Sequence, residues 1–103
     1  MNMTVNFEYH DVKSSETLEA FAKGHLEKLF NKYEFLIRAD VFFKVENTAE
    51  ETTGKISGIR LSVPGPRLFA ESSKDTFKKS FSEAVEQLER QLRKRKGKMQ
   101  SYN

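Results

Sequence analysis

The order of hydrophobic periodicities along this 103-residue chain predicts an α+β domain, β-α-β-β-β-α, in which two helices pack on one face of a four-stranded sheet. Three observations carry that expectation. Four segments alternate apolar and polar residues with period two, while two longer segments repeat apolar residues every three to four. Each helical segment has one apolar stripe and each strand one cleaner apolar face, so both helices fit the same side of the sheet and leave the other side wet. Finally, the length suffices for one core and not two: residues 1–98 read as one unit and 99–103 as a short tail, with no repeat or low-complexity linker.

The elements follow in order. In "MTVNFEY" the residues Met3, Val5, Phe7 and Tyr9 share one side, which marks a half-buried strand. In "KSSETLEAFAKGHLEKLFNKY", Ser15 is a credible N-cap and Glu16 suits the first turn. Leu18, Phe21, Ala22, Leu26, Leu29, Phe30 and Tyr33 then form one helical stripe, periodic enough to outweigh the roughly 1 kcal/mol that Gly24 costs relative to Ala. "LIRADVFFKVEN" alternates again, with Ile37, Ala39, Val41, Phe43 and Val45 expected on the buried face. After the polar loop "NTAEETTG", "KISGIRLSVPGPRLFAES" reads as two strands about Pro64-Gly65-Pro66. Pro66 has no N–H to close a tight turn there. A second helix is expected from about Ser73, with Phe77, Phe81, Ala84, Val85, Leu88 and Leu92 on its stripe.

The composition excludes several classes of function. No apolar run approaches the length of a membrane span, and the N-terminus lacks the basic flank and apolar stretch of an export signal. Without cysteine there is no disulfide framework and no thiolate chemistry, in keeping with a cytoplasmic protein. His10 and His25 form no metal-ligand spacing, the carboxylates are scattered, and no Gly-rich phosphate loop is present, so neither catalysis nor a cofactor is expected. His25, between Leu18 and Leu29 on the stripe, reads as a packing residue.

Charge is unevenly distributed along the chain. Residues 1–54 hold six Lys/Arg against ten Asp/Glu, whereas residues 55–103 hold twelve against five. Six of the eleven residues in "LERQLRKRKGK" are basic. On a helix, Lys79, Arg90, Arg93 and Lys94 fall opposite the apolar stripe, Lys96 extends the group, and Arg95 turns back towards the stripe. Pairs of Glu86 with Arg90 and Glu89 with Arg93, plus the helix dipole, explain two or three of these cations. The surplus points to a polyanion, and to nucleic acid rather than membrane, because the core consumes the apolar face. A merely solvated helix end is the competing reading. Lys28 and Lys32, one turn apart on the first helix, are candidates to join the same field.

Phe42 and Phe69 have the parity of the open sheet face, as do Lys44, Arg60 and Arg67. Three readings are open for them: base stacking, self-association, or mutual cover on a wet surface.

The segments "LEKLFNKY", "LFAESS" and above all "AVEQLERQLRKRKGK" resemble the ribosome hibernation promoting factors, also called ribosome-associated inhibitors, and the likeness extends over residues 3–98. The resemblance implies a fold like a double-stranded RNA-binding domain, lodged on ribosomal RNA of the small ribosomal subunit, in the channel of messenger and transfer RNA. There such a protein stops translation in resting or stressed cells. Lys28, Arg90 and Lys94 match the family's basic positions, and Arg93, Lys96 and Lys98 extend the cluster. His25 and Asn31 stand where many relatives are basic, and "TFK" from Thr76 stands where an Asp-Met-Tyr-like segment is common. With no C-terminal dimerisation domain, the chain resembles a short form. A general double-stranded RNA-binding module and a small protein–protein module that self-associates through Phe42 and Phe69 are the alternatives.

Overall fold

A computed structural model describes residues 3–100. The elements are β1 (Thr4–His10), α1 (Glu16–Lys32), β2 (Arg38–Val45), β3 (Lys55–Ser62), β4 (Leu68–Lys74) and α2 (Phe77–Gln100), in the order the periodicities predict. The sheet runs β1-β2-β3-β4. β1 lies parallel to β2, from Thr4 opposite Arg38 to His10 opposite Lys44, while β2, β3 and β4 form an antiparallel meander. Parallel neighbours need a long crossover, and α1 supplies it, which lays that helix across a face of the sheet.

α1 begins where Ser15 turns extended and its hydroxyl accepts from the Leu18 N–H at 3.1 Å. The Tyr9 hydroxyl donates to Glu19 at 2.8 Å and so ties the end of β1 to the first helical turn. Leu18, Ala22, Leu26, Leu29 and Phe30 are buried, as the stripe requires.

An aromatic cluster joins both helices to the sheet. The fully buried Phe43 ring lies 5.5 Å from Phe77 and 6.2 Å from Phe81 of α2, and 5.5 Å from Tyr9 of β1. Phe81 in turn meets Phe21 of α1 at 6.2 Å. Each such ring contributes about 1.5–3 kcal/mol through burial, so Phe43→Ala removes more stability than any surface change. The buried hydroxyls of Ser57 and Ser80 bond each other at 2.7 Å, which satisfies both and pins β3 to the first turn of α2.

Three expectations are corrected. α2 starts at Phe77 and not near Ser73, because Ser72 and Ser73 complete the β4 ladder opposite Ser57 and Ile56. Thr76 provides the cap, its hydroxyl accepting from Lys79 N–H at 3.1 Å. Ile37 and Val45, expected on the buried face, are 59% and 48% exposed, since they sit before and at the end of β2, beyond the cover of the helices. Met99 and Gln100, expected in a tail, belong to α2; the rest of that tail, residues 101–103, lies outside the described residues.

Candidate nucleic-acid interface

α2 is amphipathic through Leu92, the last of its buried positions after Phe81, Ala84 and Leu88. It then continues eight residues, roughly 12 Å at the helical rise, past the end of its core contact. Arg95 holds this extension: its guanidinium donates to the Pro64 carbonyl at 2.7 Å and the Pro66 carbonyl at 3.0 Å. Gly65, at φ +90, lets the loop bring both carbonyls beneath that side chain. The inward turn of Arg95 foreseen in the sequence thus has a structural use. Its neighbours Arg93, Lys94 and Lys96 are exposed, as is Arg90 one turn earlier.

The two helices meet electrostatically at Glu89. Lys32 of α1 donates to its carboxylate at 2.6 Å. The Nζ atoms of Lys32 and Lys96 both stand over the buried Tyr33 ring, at 5.5 and 5.9 Å from its centroid. Burial alone would raise the Glu89 carboxyl, but the hydrogen bond from Lys32 and the nearby Arg93 charge outweigh it and hold it below the usual carboxylate range. The same bond pushes Lys32 up. Tyr33 is pushed up by burial first and then by Glu89.

The seven candidate cations are therefore not equivalent. Lys32, Arg93 and Lys96 gather around Glu89 and Tyr33, with Arg90 and Lys94 on the adjoining exposed positions and Lys28 exposed one turn earlier on α1. Lys79 stands apart. It pairs with Asp75 at 3.1 Å, eleven residues before Arg90 and so about 16 Å along the helix. Glu89 turns to Lys32 rather than to Arg93, and Glu83 to Lys74 at 3.0 Å and to the Ser72 hydroxyl. Among the described residues Lys28, Arg90, Arg93, Lys94 and Lys96 consequently make no salt bridge within 4.0 Å.

The opposite face of the sheet carries a second concentration of chemistry. Phe42 and Phe69 lie nearly parallel there, 13° apart with centroids at 6.2 Å, as their strand parity predicts. Phe42 rests on Gly58: a Cβ at that position would come within 2.1 Å of the ring. Lys44 stands 5.7 Å over Phe42 and Arg60 5.9 Å over Phe69. These residues line a groove of about 740 Å³ that also takes in His10, Arg38 and Arg67. Asp40 within it accepts from Arg38 at 2.7 Å and Asn6 at 3.2 Å; burial opposes ionisation, but these bonds prevail and keep the carboxyl low. The roles of Gly58, Arg38 and His10 were missed in the sequence, because only the strand register sets them beside Phe42 and Phe69.

His25 packs edge-on against Phe21 at 4.7 Å and Phe81 at 6.0 Å, and burial, helped by Lys28, pulls its pKa down. Among the described residues no three His, Cys, Asp or Glu side chains group as metal ligands, and no helix is long and apolar enough to cross a membrane.

The sequence profile of a family described as sigma 54 modulation protein / S30EA ribosomal protein matches residues 5–100. No curated protein matches the chain significantly. Among solved structures, a ribosomal subunit interface protein from Coxiella burnetii superposes with TM-score 0.79 at 20% identity, covering 92% of this chain and 99% of that one. The Protein Y N-terminal domain of Thermus thermophilus superposes with TM-score 0.73 at 18% identity, covering 91% and 98%. At these identities the two likenesses establish a shared fold.

Proposed function

The chain belongs to the sigma 54 modulation protein / S30EA ribosomal protein family, that of the ribosome hibernation factors, and from that premise we propose that it is a non-catalytic plug of the small ribosomal subunit. It occupies the channel of messenger and transfer RNA and so blocks translation in the cytoplasm of resting or stressed cells. The observation that carries this reading is the end of α2, where Arg90 and, past Leu92, Arg93, Lys94 and Lys96 stand exposed and, like Lys28 of α1, make no salt bridge among the described residues. Such cations grip phosphates by releasing condensed counterions. Phosphate contacts position a protein without reading sequence, so selectivity comes from the shape of a folded RNA cleft. Lys32 joins the grip only by sharing itself with Glu89, and Lys79, tied to Asp75, is the weakest member.

The test is co-sedimentation with purified small subunits. The chain is expected to travel with them, and the Arg90→Ala/Arg93→Ala/Lys94→Ala variant, with its contacts reduced, to be largely released from them. Messenger RNA together with initiator transfer RNA should displace the chain. A general double-stranded RNA-binding module would ignore that competition, and persistence of the triple variant on the subunit would refute the gripping face.

A further inference from the structure

The groove on the open sheet face is independent of the helix surface, which lies on the other side of the sheet. We propose that this groove is a binding site for single-stranded RNA, with unpaired bases stacking on Phe42 and Phe69 and backbone phosphates held by Lys44, Arg60 and Arg67.

Three features support the assignment. The first is the platform. Two nearly parallel rings lie on the face, one flat on Gly58 and the other, Phe69, 43% exposed on the edge strand β4. A bulkier residue at position 58 would tip Phe42 out of that plane, since its Cβ would meet two ring atoms at 2.1 Å. Flat exposed aromatics on a sheet present π-surface to a base, and every base offers one.

Second, the charge fits. Four cations line the groove, Arg38, Lys44, Arg60 and Arg67, against two acids, Glu8 and Asp40. Arg38 and Asp40 pair with each other at 2.7 Å. Lys44 and Arg60 are held over the rings, and Arg67 makes no salt bridge among the described residues. Glu71, on the same face of β4, lies outside the lining and leaves the surplus positive.

The third is what the groove disfavours. A two-fold contact between copies would set this positive patch against itself, with the two rings Phe42 and Phe69 as the main apolar surface to offset the repulsion. A duplex keeps its base faces stacked inside and has none to offer the rings. An unstructured strand meets both requirements.

The experiment is a titration of the full chain with a hexa-adenylate RNA, followed by amide chemical shifts. The expected result is perturbation at residues 42, 58, 60 and 67–69, retained in the Arg90→Ala/Arg93→Ala/Lys94→Ala variant. Phe69→Ala changes an exposed side chain and should weaken binding about tenfold, the lower half of the range for one stacked base. With three cations that make no salt bridge among the described residues, two of which would leave the ring faces for phosphates as bases stack, the salt slope should be shallow, about −2. Arg60→Gln/Arg67→Gln, which leaves both rings in place, should flatten it further. Perturbation confined to the end of α2, or none at all, overturns the proposal. So does adenosine monophosphate binding as tightly as the hexamer, which would make this a mononucleotide site. Dimerisation abolished by Phe69→Ala, without any shift from the hexamer, would make the face a self-interface and overturn it as well.

Discussion

If the helix face grips ribosomal phosphates, the salt dependence of binding measures how many cations are free to do so, and the structure supplies that number. Of seven candidates, Lys32 and Lys79 are engaged by Glu89 and Asp75, leaving Lys28, Arg90, Arg93, Lys94 and Lys96. Each released counterion contributes about −0.9 to the slope of log affinity against log salt, so five contacts predict about −4.5, a loss of roughly 500-fold between 50 and 200 mM. Seven equal contacts would instead give about −6.3, a loss of several thousandfold. Replacing Arg90, Arg93 and Lys94 by Ala should leave two contacts, a slope near −1.8 and only about a tenfold loss over the same interval. All three side chains are exposed and Ala favours helix, so the far-ultraviolet dichroism and melting temperature should hardly move. The assay is equilibrium binding of labelled protein to small subunits at several salt concentrations. A wild-type slope of −6 or steeper would show that Glu89 and Asp75 release their lysines. An unchanged slope in the triple variant would refute the gripping face itself.

Other perturbations test the scaffold. Gly58→Ala should lower stability by about 1–3 kcal/mol, because the Phe42 ring must swing aside; an unchanged melting temperature would contradict the seating of that ring. His25→Gln should flatten a pH dependence. Burial lowers the folded-state pKa of His25, so the unfolded chain binds the proton first and stability declines as pH falls below about 6.5, the ordinary histidine value. Denaturant titrations at pH 7.5 and 5.0 should differ less in the variant than in the wild type. Arg95→Ala removes two charged hydrogen bonds from the Pro64 and Pro66 carbonyls, about 1–2 kcal/mol in all at a partly exposed site. Amide exchange should quicken at residues 93–98; unchanged protection there would show that the end of α2 needs no strap.

Much of the fold was legible in the sequence because local and global preferences agree. Leu18, Ala22, Leu26, Leu29 and Phe30 of the first stripe and Phe81, Ala84, Leu88 and Leu92 of the second are buried, with Phe21 and Val85 half-buried against them, and Ala39, Val41 and Phe43 keep the parity assigned to them. Legibility failed at element ends. Ser72 and Ser73 suit a strand or a helix start equally, and pairing with β3 settled the matter. Ile37 and Val45 continue the alternation, but no helix lies over them. In the candidate site, basic residues were visible as a cluster, yet their partners were not. Periodicity places Glu89 one turn from Arg93, and only helix packing brings Lys32 of α1 closer.

The sequence by itself determined the element order, the two buried stripes, the surplus of positive charge at the end of the last helix and the parity of Phe42 and Phe69. These depend on spacing along a single element, which the chain states directly. Tertiary structure alone decided which cations are already neutralised, that Arg95 straps the Pro64–Pro66 loop, and that Gly58 lies beneath Phe42. Each of these joins residues distant in sequence, and such a meeting is fixed by register and packing between elements rather than by any pattern within one.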